Sequence, residues 1–494
     1  MYLSKTDFLQ YLQCPKCLWL KKNNPDLYVR PNISEFDQKL IDEGYEVELA
    51  AREMFDRGVL VAGSNEEAAL KTQELIEERV SPVFQATFIS KSGLLAKIDI
   101  LIYNEFSGAW TIYEVKSSTS IKTGRDDNHI LDITFQKLVM SQVGIPVDQA
   151  YIIHLNKHFK KIGEIELFEL FTTTDVTESL SQEYSRIESE AAMALEFLKD
   201  QDVDLSSCSC LYSSRRNHCS SFSVLNPNIP DYSIHDIARI SSKNLRLLID
   251  DLIMNILDIP ENFKLTQNQK TQVELEKSQK SEINIENIKQ TLEQLEYPLV
   301  FLDYETYVSA IPKVEGFSPH QHVPFQVSIH ILQPERKLKH HEYLADNIEN
   351  APLELVEFLH ETIPPKGTLI SWHASFENTR NKQIAEIYPE HSQFLLELND
   401  RTFDLESIFK DDYRHPGFRG KTSIKKVLPV LCPEFSYKNI DIQSGTEAME
   451  SWRKTIFDED LEEPERTQIQ KALLEYCELD TLAMVKIFKH LLDV

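Results

Sequence analysis

Two stretches of the chain mix short apolar runs with amphipathic helical segments. From residue 1 to about 80 the apolar positions repeat with a helical period, most regularly in LIDEGYEVELAAREMF. Three apolar runs follow, FQATFI, LLAKIDILIY and AWTIYEVK, and they predict strands, the last two joined by a hairpin loop over 104–108. A helix (ITFQKLVMSQVG), a strand (AYIIHLN) and an acidic helix over 176–200 come next. This order of elements predicts an α/β core.

A different pattern begins near residue 200. Residues 200–235 are rich in Ser, Cys and Asn and predict an irregular boundary, and 236–258 predict a short helical hairpin. Residues 262–288 are polar and predict a linker or a solvated helix. At 298 the run YPLVFLDYET predicts a buried strand, and strands and helices then alternate to the end. We therefore predict domains over 1–225 and 296–494, separated by a helical spacer over 226–295.

Composition narrows the class of protein. The 494 residues include 41% hydrophobic residues, enough for buried cores, and only 13 Gly. No apolar run is long enough for a transmembrane helix, and MYLSKTDFLQ carries charges where a secretory signal needs an apolar stretch. We therefore expect a cytoplasmic protein that does not bind membranes. The 52 Lys+Arg against 79 Asp+Glu give a net charge of −27, which by itself argues against binding nucleic acid.

The predicted hairpin carries a first group of charged residues. Asp99 lies inside one apolar strand, while Glu114 and Lys116 are two apart on the next strand and so share a face. Charges on such a face are costly unless they pair or bind a metal, and carboxylates suit Mg²⁺ or Mn²⁺. The alternative is a surface hairpin whose carboxylates and lysine form an ion pair.

The cysteines form a second group. Five of the seven lie in two short segments, QCPKC and CSCLYSSRRNHC. Four thiolates hold either a [4Fe–4S] cluster or a tetrahedral Zn²⁺. The alternative is a set of free thiols. We expect Cys432 and Cys477 to be core residues.

The second α/β stretch carries a third group. Asp303 and Glu305 are two apart at the end of a predicted strand, and Tyr476 and Asp480 are four apart on a predicted helix. Between them, TLISWHASFENTR predicts a strand followed by a helix that offers Glu377. Converging carboxylates repel unless cations lie among them, which is the arrangement of two-metal phosphoryl chemistry. Each residue taken alone is better explained as an ordinary charged residue at a strand or helix end, and Asp404 is a fallback ligand or a helix N-cap.

A segment without acids follows this third group. Residues 413–433 carry five basic side chains that suit a phosphate backbone or, alternatively, a solvated loop and helix face. They are Arg414, Arg419, Lys421, Lys425 and Lys426. Lys157, Lys160 and Lys161 form a weaker equivalent in the first stretch.

These motifs resemble known nuclease families. AKIDIL and YEVKSST resemble the PD-(D/E)XK core of RecB-like exonucleases, in which Gln136 matches a substrate-positioning glutamine. Met140 stands where that branch has an aromatic residue, and Glu48 stands near its histidine, as an extra ligand or a solvated residue. The resemblance assigns Cys14, Cys208, Cys210 and Cys219 to an iron–sulfur cluster, with Zn²⁺ as the alternative, and leaves Cys17 spare.

FLDYET, WHASFE and YCELD resemble the motifs of DEDDy 3′–5′ exonucleases on a ribonuclease H-like fold. Glu377 and His373 stand where that family has Asp and commonly Asn. The order of all these parts resembles an uncharacterised bacterial family that fuses a RecB-like nuclease to a DEDDy-type exonuclease.

The resemblance implies a metal-dependent DNA nuclease with two sites, acting in repair or in defence against foreign DNA. It implies that Asp99 and Glu114 bind Mg²⁺ or Mn²⁺ beside Lys116, and that Asp303, Glu305, Glu377 and Asp480 bind metal while Tyr476 orients water. Helicases or other repair or defence proteins would be its partners. Alternatives are one active site with a strand-holding partner domain, a non-catalytic assembly protein, or an RNA-directed enzyme.

Overall fold

The protein has a mixed α/β fold with several sheets. The computed structural model describes residues 2–124, 127–435, 437 and 440–494. No helix within these ranges is long and apolar enough to cross a membrane.

A seven-stranded sheet organises the first half, with β2-β3-β4-β5-β6-β7 in order and β1 paired to β4. Its strands are β1 (Leu3–Ser4), β2 (Val59–Leu60), β3 (Val83–Ile89), β4 (Leu94–Asn104), β5 (Ala109–Lys116), β6 (Val147–Leu155) and β7 (Phe171–Asp175). Its helices are α1 (Lys5–Gln13), α2 (Pro15–Asn23), α3 (Glu35–Arg52), α4 (Asn65–Glu77), α5 (His129–Gln142), α6 (Leu167–Leu170) and α7 (Thr177–Phe197). The three predicted strands, the hairpin between β4 and β5 and the acidic helix are confirmed.

The pairing of this sheet places the charged residues at its centre. Strand β4 is antiparallel to both of its neighbours, β3 and β5, whereas β5 and β6 run parallel with α5 as their connection. A core beneath α1, α2, α5 and α7 covers one face. A second core that includes Val47 and Ala51 of α3 covers the other face.

A small helical cluster lies between the two halves. It is preceded along the chain by 3₁₀ turns at Ser209–Tyr212 and Arg215–Asn217 and by α8 (Phe222–Leu225), which packs into the core of the first half. The cluster itself contains α9 (Ser242–Asp250), α10 (Gln267–Ser278) and 3₁₀ turns at Ile234–Asp236 and Ile256–Asp258. It is followed by β8 (Glu282–Ile283), which pairs with residues 413–414, and by α11 (Ile285–Glu293), which packs into the core of the second half. The predicted helical hairpin is α9 followed by a 3₁₀ turn.

The polar segment over 262–288 is neither a linker nor a solvated helix, because one face of α10 is buried. Gln269 Nε2 donates to the Ala238 carbonyl oxygen over 2.9 Å, and Gln272 Oε1 accepts from the Ala238 amide over 2.9 Å. These amides satisfy backbone groups, so a polar sequence packs here as an apolar one would.

A five-stranded sheet organises the second half, in the order β11-β10-β9-β12-β13. The elements are β9 (Leu299–Tyr307), β10 (Val323–Leu332), β11 (Leu338–Leu344), β12 (Leu369–Ser371), β13 (Thr402–Asp404), β14 (Tyr413–Arg414), α12 (Ala351–Thr362), α13 (Ser375–Ile387), α14 (Ser392–Asp400), α15 (Glu406–Asp411), α16 (Ile424–Leu431), α17 (Gly445–Phe457), α18 (Glu463–Leu492) and 3₁₀ turns at Pro389–His391 and Pro416–Phe418. The strand predicted at 298 is confirmed as β9. Strand β9 is antiparallel to β10 and parallel to β12, and α18 packs across β9 and β10.

The loop between β9 and β10, residues 308–322, bridges the two halves and is called the bridging loop below. Ala310 and Ile311 join the core beneath α3. The Gly316 amide donates to the Lys161 carbonyl over 2.8 Å, and the Lys161 amide donates to the Phe317 carbonyl over 3.0 Å. His320 Nε2 donates to the Ser117 carbonyl oxygen over 2.6 Å. The loop therefore joins the end of β9 to the end of β5.

Candidate functional site

The first acidic group lies where β4 and β5 face α5. Lys116 Nζ is 2.9 Å from Glu114 Oε1 and 2.5 Å from Asp132 Oδ2. Gln136 Nε2 donates to Glu114 Oε2 over 2.5 Å. Glu114 is nearly inaccessible to solvent, so this ring of donors compensates a buried carboxylate. Three of the predicted residues are thus in direct contact.

Asp99 lies beside this ring on β4. Its Oδ2 accepts from the Val115 amide over 2.8 Å, and its Oδ1 accepts from Gln85 Nε2 over 3.2 Å. Burial raises the pKa of Asp99, and the carboxylates of Glu114 and Glu48 raise it further. Burial opposes the ionisation of Glu114 as well, but Lys116 and Lys5 hold the pKa of Glu114 well below its usual range. Asp99 is therefore the carboxylate that lacks a full cationic partner.

Glu48 is buried on α3 and is not a solvated helix residue. It accepts hydrogen bonds from Arg52 and from Gln85, which also bonds to Asp99. Gln85 adopts a left-handed backbone conformation with φ 56°, which is uncommon for residues other than glycine.

Sequence reasoning missed three side chains of this first site: Lys5, Gln85 and Asp132. Lys5 Nζ lies 2.7 Å from Glu114 Oε1. Asp132 carries a signal in the sequence, because it precedes Gln136 by one helical turn on α5. Lys5 and Gln85 carry none, because only the tertiary fold brings α1 and β3 to Asp99 and Glu114.

The cysteine group lies where α1 meets the segment after α7. One sulfur of each of four buried cysteines lies within 4.8 Å of the other three, namely Cys14, Cys208, Cys210 and Cys219. None of the seven cysteines forms a disulfide, and Asn226 Nδ2 donates to Cys208 Sγ over 3.3 Å. Such a donor set could bind a metal ion, since it gathers soft ligands and supplies a hydrogen bond to one of them.

Of the other three cysteines, Cys17 lies beside this group, with its side chain in hydrogen-bonding contact with Cys219, whereas Cys432 and Cys477 lie apart from it. Cys17 is buried on α2, where its Sγ accepts from Gln10 Nε2 over 3.4 Å. Cys432 is buried in the apolar core of the second half, and Cys477 is fully buried against β9, where its Sγ lies 3.8 Å from the Asp303 carbonyl oxygen, so both are core residues as expected.

The second acidic group lies between β9 and α18. Carboxylate oxygens of Asp303, Glu305 and Asp480 all lie within 4.8 Å of one another. Burial raises the pKa of Asp303, and the charge of Asp480 raises it further. The same two causes raise the pKa of Glu305 to about 8. Three carboxylates this close could hold a divalent cation such as Mg²⁺ or Mn²⁺, which would relieve their repulsion.

Glu377 lies on the first turn of α13, outside this close group. It is 3% exposed, and its Oε2 has no hydrogen-bond partner among the described residues. Burial raises the pKa of Glu377 to about 8, and its charge contributes to the raised pKa values of Asp303 and Glu305. A buried carboxylate oxygen without a donor fits a place for a cation.

Asp404 and His373 belong to a separate cluster. Asp404 Oδ1 accepts from the His373 amide over 2.9 Å and from the Glu406 amide over 3.0 Å. Lys410 Nζ lies 2.6 Å from Glu406 Oε2 and supplies a cation there. Asp404 thus serves the backbone at the start of α15.

Aromatic hydroxyls and one lysine surround the second acidic group. Tyr437 Oη donates to Asp480 Oδ1 over 2.6 Å, and Lys425 Nζ donates to Tyr476 Oη over 3.0 Å. Lys425 Nζ also lies 4.9 Å from the ring centre of Tyr476. Lys425, predicted to contact nucleic acid, therefore lies beside the two tyrosines, and its charge opposes the rise in the pKa values of Asp303, Glu305 and Asp480. Tyr437 carried no signal in the sequence.

The remaining basic residues of 413–433 are spread over the surface. Lys421 and Lys426 are exposed, and Arg419 stacks on the Tyr232 ring at 5.0 Å. Arg414 Nη1 lies 3.9 Å from Glu282 Oε2 on the neighbouring strand β8. The segment is therefore partly turned toward the helical cluster.

Comparison with known proteins identifies one part of the chain. Residues 300–423 match a family described as a domain of unknown function, DUF2779. No curated protein matches the chain. The DUF2779 region contains Asp303, Glu305 and Glu377, whereas Tyr476 and Asp480 of α18 lie beyond it. The first sheet and the cysteine group also lie outside the DUF2779 region.

Proposed function

We propose that this protein is a metal-dependent DNA nuclease with one phosphodiester-hydrolysing site in each half. The observation that carries the proposal is the convergence of Asp303, Glu305 and Asp480 within 4.8 Å. These residues come from a central strand and a distant helix, and their mutual repulsion is relieved either by protonation or by a bound cation. Hydrolysis of phosphodiesters is the chemistry that such sites commonly serve.

The architecture supports this proposal in both halves. A central strand with an antiparallel hairpin on one side and parallel strands on the other is compatible with the ribonuclease H-like fold that the resemblance implies. The sequence of α4, three antiparallel strands, α5 and parallel β6 is compatible with a PD-(D/E)XK core.

Each residue has a specific role in this proposal. In the first site Asp99 and Glu114 would hold a divalent cation, Gln136 would position substrate, and Lys116 would stabilise charge on the phosphate. In the second site the four carboxylates Asp303, Glu305, Glu377 and Asp480 would hold one or two cations, and Tyr476 would orient water. A bound cation supplies an activated water and neutralises charge on the phosphate. The phosphate backbone of the DNA strand would be contacted by Arg414, Arg419, Lys421 and Lys426.

Release of nucleotides from labelled single- and double-stranded DNA with Mg²⁺ or Mn²⁺ tests the proposal. We expect Lys116→Ala and Asp303→Ala each to remove the activity of one site, by roughly 10²–10³-fold, and the double variant to be inactive. Lys71→Ala and Glu361→Ala, at exposed helix positions, serve as controls. Cleavage that persists in the double variant would show that both site assignments are wrong.

The same variants separate the alternatives. If only one substitution matters, the other half holds the strand without cutting it. DNA binding without turnover at every divalent metal concentration would identify a non-catalytic assembly protein. Competition between DNA and RNA strands of the same sequence shows which of the two polymers is the substrate. Co-purification with helicases or other repair or defence proteins would identify partners.

We propose further that the four cysteines hold a single tetrahedral ion, Zn²⁺. With Zn–S bonds of about 2.3 Å, a tetrahedral ion sets sulfurs about 3.8 Å apart. The sulfurs lie within 4.8 Å of one another, and four irons between them would require a wider spread. The compact spread favours zinc over the iron–sulfur cluster that the resemblance implies.

Anaerobic purification followed by metal analysis and visible absorption tests the identity of this ion. We expect about one zinc per chain, no iron-dependent colour, and loss of the zinc in Cys208→Ser, with Cys432→Ser as the matched control. About four irons per chain would contradict the zinc assignment, and neither metal would contradict a metal site.

A further inference from the structure

Helix α1 connects the cysteine group to the first acidic site. Lys5 is its first residue, and Cys14 follows its last residue. Nine residues span about 13 Å, so the helix reaches from one site to the other. A capping box between Ser4 and Asp7 fixes its start, and Phe8 stacks on Phe135 of α5 at 5.0 Å. The position of Lys5 is therefore fixed by packing along the whole helix.

Two lysines share one oxygen of Glu114. Lys5 Nζ lies 2.7 Å from Glu114 Oε1, and Lys116 Nζ lies 2.9 Å from the same atom. A carboxylate oxygen has two lone pairs, and the two ammonium groups use both. A cation that binds this oxygen must displace one of them.

The geometry decides which lysine is displaced. Lys116 has a second acceptor in Asp132 Oδ2 at 2.5 Å, whereas Lys5 lies 4.0 Å from that oxygen. The Lys5 side chain is 29% exposed, while the Glu114 side chain is 2% exposed. Lys5 therefore approaches from the solvent side, where a substrate would arrive.

We propose that Lys5 is a second substrate-binding lysine of the first site, which binds a phosphate oxygen of the DNA strand when a divalent cation occupies Glu114. The inference rests on the nuclease function proposed above. A phosphate approaching this site meets the carboxylates of Asp99, Glu114, Asp132 and Glu48. A second lysine beside Lys116 offsets that repulsion.

The test uses the full chain with Asp303→Ala and Asp480→Ala, so that the first site is observed alone. We expect Lys5→Met to raise KM for DNA about 10-fold and to reduce the salt dependence of binding by about one phosphate contact. We also expect it to tighten Mn²⁺ binding, because an ammonium no longer competes for Glu114. Lys5→Arg should retain most of the DNA affinity, and Lys71→Met is the control.

The outcomes separate this inference from the proposed function. An ion pair that merely stabilises α1 predicts an unchanged KM for DNA and an unchanged salt dependence of binding, even where Mn²⁺ binds more tightly, and that result would overturn the role of Lys5. If the background protein shows no cleavage that depends on Lys116, the nuclease function of the first site fails instead. Should Lys5→Met not fold, Lys5→Gln, which keeps a hydrogen bond to Glu114, carries the same measurements.

Discussion

Burial near other acids raises the pKa of two glutamates of the second site, so that they keep their protons at a higher pH than usual. Burial and the charge of Asp480 raise the pKa of Glu305 to about 8, and burial raises the pKa of Glu377 to about 8. The ordinary value is 4.5, so between these pH values the folded state binds more protons than the unfolded state. Without divalent metal, the free energy of unfolding should therefore fall as pH rises from about 5 to about 8.

This pH dependence is open to direct measurement. Each pKa unit corresponds to about 1.4 kcal/mol, so the loss should amount to a few kcal/mol in urea unfolding. Mn²⁺ should restore most of it at pH 8, because a cation favours the ionised form. Glu377→Gln should flatten the profile, whereas the exposed control Glu361→Gln should not. Identical profiles for the wild type and Glu377→Gln would contradict the assignment of a raised pKa to Glu377.

At the scale of elements, local spacing predicted pairs well. Glu114 and Lys116 are two apart on β5, and Tyr476 and Asp480 are four apart on α18, so each pair shares a face whatever the surrounding fold. The strands β3, β4, β5 and β9 were also predictable from local sequence, because each is an apolar run bounded by turn residues.

Contacts made by distant elements were not predictable in this way. Lys5 reaches Glu114 across 109 residues, and Tyr437 reaches Asp480 across 43 residues. Lys425 lies in a basic segment that was predicted to bind a DNA strand, yet its position on α16 places its ammonium group against Tyr476. The buried face of α10 was missed because its glutamines bond to backbone groups that no local pattern reveals.

At the scale of the whole molecule, the bridging loop makes the two halves interdependent. One of its contacts with the first half is a hydrogen bond to a buried carboxylate: the Ala310 amide donates to Glu43 Oε1 over 3.1 Å. Ala310 is fully buried in the core beneath α3. Since β9 carries Asp303 and Glu305, a loop anchored in this way fixes the second site relative to the first.

Ala310→Asp should separate the halves without removing either site. The new carboxylate would enter an apolar core beside Glu43, which costs several kcal/mol for an unpaired buried charge. We expect calorimetry to show one unfolding transition for the wild type and two for the variant, with Mn²⁺ still raising the Tm of the second. The exposed substitution Ala192→Asp on α7 controls for the added charge. A single transition retained in Ala310→Asp would show that the bridging loop does not couple the halves.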